Sequence, residues 1–185
     1  PIMCGIAGWA GPAGAAIDQQ ALAAMLAAIA HRGPDGDGAW AAPNGRAVFG
    51  HRRLAIIDLS DTAAQPMQDA QGAACLTYNG EIYNHRELRA ELEAQGRLFK
   101  TDHSDTEVIL QGYLAWGMDG LLARLNGIFA FALHDLRSGE TYFVRDQVGV
   151  KPLYFAWARG GLAFASEIKA LLALPGFRAT LSPAA

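Results

Sequence analysis

A cysteine stands directly behind a methionine near the start of the chain, in Met3-Cys4-Gly5-Ile6-Ala7-Gly8. With that methionine removed, Cys4 would carry a thiol and a free α-amine on one residue. An α-amine titrates near pH ~8, so part of it is unprotonated at neutral pH and able to take a proton. Nucleophile and base then share a residue. The competing reading is a small buried hydrophobe at the head of a first strand, the usual behaviour of a free cysteine. Four further segments carry polar groups of the kind a thiol nucleophile needs. Gly50-His51-Arg52-Arg53 sets two arginines in a strand-like run, and an arginine is costly to bury unpaired, so one of them faces a cleft or a partner. Asn79-Gly80-Glu81 follows a strand and offers a side-chain amide donor beside a glycine amide. Ser104-Asp105-Thr106-Glu107 places carboxylates at a helix start, and residues 145–154 form a polar turn between apolar strands. Each has a plainer alternative. Asn-Gly is a common turn dipeptide, acidic residues favour a helix N-terminus electrostatically, and Arg53 could form a surface ion pair.

These residues have to be held by elements that the pattern also predicts. Residues 6–9 read as a short strand ended by Gly11-Pro12,. Asp18 caps a helix to about residue 30, with Leu22, Met25, Leu26 and Ile29 on one face,. His31-Arg32-Gly33-Pro34-Asp35-Gly36 breaks it with turn chemistry,. Residues 48–58 and 74–78 read as strands. Asn84 with Glu87, and Ser104 with Glu107, form capping-box pairs opening helices that end at Gly96 and Gly117,. Strands over 128–135, 141–146, 153–157 and 162–165 follow at short intervals, which implies antiparallel pairing,. A last helix covers 167–174. Helices at both ends and in the middle, with many hairpins, suggest sheets packed face to face under helical layers.

A chain of 185 residues with 51% hydrophobic and 18% charged composition is expected to fold as one globular domain,. A net charge of −3 without a basic stripe argues against a nucleic-acid partner, and no apolar run reaches membrane-spanning length,. Cys4 and Cys75 do not make a disulfide scaffold, which fits a reducing cytoplasm,. Five histidines without zinc-type spacing lead to no metal site being expected,.

Taken together, Met-Cys-Gly-Ile-Ala-Gly, His-Arg-Gly-Pro-Asp, Arg-Leu-Ala-Ile-Ile-Asp, Asn-Gly-Glu-Ile-Tyr-Asn-His, Ser-Asp-Thr-Glu-Val-Ile and Ala-Ser-Glu-Ile-Lys-Ala-Leu resemble the class II glutamine amidotransferase domain. Their wording is closest to glutamine-hydrolysing asparagine synthetases. The resemblance implies an α+β N-terminal-nucleophile hydrolase fold, a four-layer αββα sandwich of two antiparallel sheets. It implies hydrolysis of L-glutamine to glutamate and ammonia. Cys4 is then the nucleophile, the Asn79 side chain and the Gly80 amide the oxyanion donors, Arg53 the carboxylate-binding arginine, Asp105 the partner of the substrate ammonium, and Glu81 a neighbour in the same pocket. The loop 31–36 would help close the site, without a catalytic residue assigned, and Cys75 would stay in the core.

Residues 1–3 read as an extension or propeptide, 4–178 as the glutaminase domain, and 179–185 as the start of a linker to a synthetase domain. No pyrophosphate-binding Ser-Gly-Gly-x-Asp-Ser loop occurs in the sequence, so ATP and Mg are expected only of that other domain, with no cofactor for this one. A homodimer stays open. With Pro1-Ile2-Met3 attached, the amine of Cys4 is an amide, and that form is expected to be a poor glutaminase. The rival readings are a regulatory module with a blocked nucleophile, an acylase for another amide, and an amidotransferase domain serving a sugar, peptide or antibiotic precursor.

Overall fold

Alternation along the strands and the helical faces organises two sheets and two helical layers. A computed structural model describes residues 3–54 and 64–180. The elements are β1 (Gly5–Ala10), α1 (Gln19–Ala28), a 3₁₀ turn (Ala30–Arg32), β2 (Gly36–Ala41), β3 (Ala47–Arg53), β4 (Met67–Gln68), β5 (Ala74–Ile82), α2 (His85–Ala94), α3 (Asp105–Leu122), β6 (Gly127–Asp135), β7 (Thr141–Arg145), β8 (Tyr154–Ala158), β9 (Gly161–Ala165) and α4 (Ile168–Leu172). One sheet has the order β2-β3-β1-β9-β8 and the other β4-β5-β6-β7. Every pairing is antiparallel.

Each sheet buries both faces. Leu22, Met25 and Leu26 of α1 pack with Leu171 of α4 over Ala7, Trp9 and Val48 of the first sheet. Leu88 and Leu92 of α2, with Val108 and Ile109 of α3, cover Leu76, Tyr78 and Phe131 of the second. Between the sheets lie Ile6, Phe49, Cys75, Ala132 and Phe164. Phe164 meets Phe49 edge-on at 5.6 Å and Phe143 at 5.1 Å between ring centroids, a geometry that adds to plain burial. The result is the expected helix–sheet–sheet–helix stack, and Cys75 is in its middle.

Several local expectations change. Asp18 does cap α1, its Oδ1 accepting from Ala21 N at 2.8 Å, but the helix stops at Ala28 and a 3₁₀ turn carries His31 and Arg32. Strand β2 was not expected; the Gly-Asp-Gly-Ala-Trp-Ala run becomes an edge strand because β3 offers it a full register of partners. The strand expected over 48–58 is described only as far as Arg53, residues 55–63 lying outside the described residues, as do residues 1–2 of the expected extension and 181–185 of the expected linker. Asn84 does not form a capping box. Its side chain donates to Arg124 O at 2.9 Å and accepts from Asn126 N at 3.0 Å, so it ties two loops together. Ser104 does cap α3, accepting from Glu107 N at 3.4 Å. The Glu107 carboxylate turns away to take Lys100 N, Thr101 N and Thr101 Oγ1. At Gly117 the backbone adopts φ 69, which a glycine tolerates,. There the helix kinks and then resumes to Leu122 rather than ending.

Candidate active site

Side-chain alternation decides which residues meet between the sheets. On β3, Phe49, His51 and Arg53 share the inner face, and on β5 Cys75, Thr77 and Asn79 do,. The β1–β3 register pairs Gly5 with Arg52 and Ile6 with His51, and its continuation sets Cys4 opposite Arg53. The dry layer around Phe49 and Cys75 thus gives way, toward the end where β1 begins, to polar side chains. A cavity of about 330 Å³ opens there, lined among others by Cys4, Arg53, Asn79, Gly80, Glu81 and Asp105. The six residues singled out in the sequence line one space.

Cys4 Sγ accepts from Leu54 N at 3.3 Å and lies 3.5 Å from Leu54 O. Burial pushes its thiol up, the Leu54 backbone contact and Arg53 pull the other way, and the charge of Asp105 adds to the rise. A thiol in such a setting stays protonated until a base takes the proton as it attacks.

Asn79 and Gly80 were expected in a turn, yet both lie inside β5, paired with Ala130 and Phe129. The correction matters for the chemistry. Phe129 spends its N–H and C=O on Asp146, so Gly80–Phe129 is a non-hydrogen-bonded pair and Gly80 N–H points to the opposite edge of β5. On that edge β4 pairs only with Leu76 and Cys75. Beyond it, Tyr78 N donates to Gln65 Oε1 at 2.6 Å and Ile82 N to Asp105 Oδ2 at 3.1 Å. Gly80 N–H sits between them, at the cavity. A side chain at position 80 would collide with Phe129 Cα, 2.7 Å from an added Cβ, so the close approach of β6 demands glycine. Next to it, Asn79 is 1% exposed and its Nδ2 has no partner among the described residues.

Asp105 is the first residue of α3 and is buried. Its Oδ2 accepts from Tyr78 O–H at 2.7 Å as well as from Ile82 N. Burial nevertheless pushes its carboxyl up, against those hydrogen bonds. A cation arriving in the cavity would relieve that cost. Glu81 is exposed at the rim.

Two basic residues of the site went unassigned in the sequence. Arg32, in the His-Arg-Gly-Pro-Asp motif, donates from Nε to Cys4 O at 3.0 Å and from Nη1 to Glu167 Oε1 at 3.0 Å. Glu167 also meets His31 at 2.9 Å and Lys169 at 3.1 Å. Burial works against its charge, but Arg32, Lys169 and His31 bring its carboxyl down to about 2. The motif was visible, but the partner that clamps it lies over 130 residues away. Lys151 reaches the cavity from the 145–154 turn, which Asp146 builds by accepting from Val150 N and Lys151 N. Its Nζ lies 2.7 Å from Met3 Sδ, and burial, with the charge of Arg32, pushes its ammonium down.

A cysteine at the head of a strand, facing an arginine, an amide unpartnered among the described residues and an edge glycine between two stacked antiparallel sheets, is the setting of an amidotransferase of the N-terminal-nucleophile class, and the comparisons with known proteins agree. The Bacillus subtilis glutamine phosphoribosylpyrophosphate amidotransferase structure, complexed with ADP and GMP, shares the fold. Its TM-score is 0.74 at 24% identity, over 92% of this chain and 43% of that one. A structure described as the allosteric regulatory enzyme of purine biosynthesis gives 0.75 at 25% identity, over the same shares. The family model of the glutamine amidotransferase domain matches residues 3–185, and the chain belongs to that family. A Mycobacterium bovis protein provisionally named asparagine synthetase (glutamine-hydrolyzing) is 47% identical over 93% of this chain and 28% of its own length. Asparagine synthetase 3 of Bacillus subtilis is 39% identical over 96% of this chain and 28% of its own. The chain therefore spans little more than a quarter of these relatives.

Proposed function

We propose that this chain hydrolyses L-glutamine through a Cys4 thioester and supplies the ammonia to a synthetase portion like that of an asparagine synthetase. The supporting observation is the cavity itself, where Cys4 Sγ shares the walls with the unpartnered Asn79 Nδ2, the Gly80 edge, Arg53 and Asp105. Arg53 offers a planar fork to the α-carboxylate and Asp105 a carboxylate to the α-ammonium. With the α-carbon end held by these two groups, the side-chain amide at the other end of the molecule lies against the thiol. Once the residues ahead of Cys4 are removed, Cys4 Sγ attacks the amide carbon as its proton passes to the freed Cys4 α-amine, directly or through a water. The carbonyl oxygen becomes an oxyanion held by Asn79 Nδ2 and Gly80 N–H. Collapse breaks the C–N bond, and the amine returns the proton to the leaving nitrogen, which departs as ammonia. Water then adds to the thioester, releasing glutamate and restoring the thiol.

This half-reaction draws on the chain's own residues, and our proposal keeps ATP and Mg for the acceptor-activating portion alone. We assign the protein to the cytoplasm, on the two unpaired thiols, and leave a homodimer as its candidate assembly. Among the described residues no helix is long and apolar enough to cross a membrane. The test is glutamate formation measured beside the mass of the N-terminus. Cys4→Ala should abolish it, and turnover that survives Cys4→Ala would end the reading.

A further inference from the structure

Two groups lining the cavity hold unpartnered, buried polar atoms, and only one has been given a task. Four buried side-chain nitrogens lack a partner among the described residues, and two belong to residues of the cavity wall: Asn79 Nδ2 and His51 Nε2. His51 is 1% exposed, one step deeper along β3 than Arg53 and opposite Ile6. The backbone of Tyr78, across the two sheets, acts on it in the sense that favours its charged form, as a carbonyl does toward an imidazole N–H,. Burial outweighs that contact, the Arg53 charge adds to the effect, and the imidazole is pushed down to about 4. It is neutral at working pH. A neutral imidazole that donates from one nitrogen accepts at the other, and Nε2 is the nitrogen without a partner. The wall thus offers one lone donor and one lone acceptor, the complement of a carboxamide, which has a carbonyl oxygen on one side and N–H groups on the other.

We propose that His51 is a recognition residue for the substrate carboxamide, its Nε2 accepting from the amide N–H while Asn79 Nδ2 donates to the amide oxygen. This rests on the glutaminase reading. It gives the site a means of telling glutamine from glutamate. A product γ-carboxylate has no N–H and turns an oxygen lone pair toward the lone pair of Nε2, so product is disfavoured where substrate is held.

Binding is measured by calorimetry on the chain started at Met3 and carrying Cys4→Ala, so that turnover stops and the question is separate from Cys4 chemistry. The probes are L-glutamine and L-glutamate γ-methyl ester, which matches it in size and lacks the amide N–H. His51→Asn keeps a donor near the position of Nδ1, preserving the tie to Tyr78, and removes the Nε2 end. His51→Gln restores an acceptor at about the reach of Nε2. Glutamine affinity should fall about tenfold in His51→Asn, the size of one neutral hydrogen bond, recover in part in His51→Gln, and the ester should lose nothing. Equal losses for both ligands would make His51 a structural tie alone, and no loss for either would remove it from the site. If the parent protein binds neither probe, the glutaminase reading and the role of His51 fall together. Should discrimination appear in a protein that never forms glutamate, the recognition role stands and the Cys4 mechanism fails.

Discussion

Asn79 and Arg53 line the same cavity but should fail in different ways when changed. The Asn79 donor matters when charge develops on the carbonyl oxygen, so Asn79→Ala should lower kcat by ~10²–10³ and leave KM nearly alone. A variant that loses stability but keeps normal turnover per folded molecule would return Asn79 to a purely structural role. Arg53 holds the ground state as well. Arg53→Ala should weaken glutamine binding by about 2–5 kcal/mol, with Arg53→Lys regaining only part because an ammonium lacks the planar fork. An unchanged glutamine KM in Arg53→Ala would take the residue out of the site. Asp105 adds a trade-off between function and stability. Its carboxyl is raised by burial, so its contribution is fullest below the unfolded value and is lost as pH rises through the folded one. Asp105→Asn should therefore leave the ligand-free protein as stable at neutral pH or more so, by thermal melting, while glutamine KM rises. A large drop in Tm would mean that its bonds to Tyr78 and Ile82 outweigh the buried charge.

The 3₁₀ turn and α4 meet through one carboxylate, although they lie at opposite ends of the sequence. Glu167 gathers His31, Arg32 and Lys169, and Arg32 in turn holds the Cys4 carbonyl. The Glu167 carboxyl is depressed from 4.5 to about 2. Its stabilising contribution is present above the unfolded value and is lost as pH falls between those figures. Glu167→Gln should thus lower Tm at pH 7, and the gap from wild type should close by about pH 2 to 3. A gap that stays constant across this range would point to packing instead of charge. Because the same residue braces Arg32, the variant should also slow glutamine hydrolysis at pH 7.

For the molecule as a whole, the question is what lies in front of Cys4. Met3 lines the cavity, and its sulfur rests against Lys151. While Met3 is attached, the Cys4 nitrogen is an amide without useful basicity, and the side chain occupies space beside the thiol. The form bearing Met3 should be slower by about 10² or more than the form that begins at Cys4, the loss typical of a missing general base. Mass spectrometry beside a glutamate assay checks this, and full activity with Met3 attached would leave Cys4 in need of another base. The four layers supply a rigid frame for these groups, since the donors sit on strands and their spacing is set by the inter-sheet core of Phe49, Cys75 and Phe164.

Much of this could be read from the order of residues. Strand and helix positions follow from local alternation and capping, as at Asp18 and Ser104, and the chemistry-bearing residues stood out because their side chains are costly in a core. What the sequence could not decide was every relation that depends on a distant partner. Asn79-Gly80 has the composition of a turn, and only pairing with β6 makes it a strand. The same register points the Gly80 amide to the other edge, where β4 pairs only with Leu76 and Cys75. Arg32 was part of a visible motif, but its bond to Cys4 depends on Glu167. His51 looked like one more residue of an apolar strand until two sheets buried it against the cavity with Nε2 unpartnered among the described residues. Local propensity acts over a few residues, whereas burial and orphaned hydrogen-bonding groups exist only once the layers have closed.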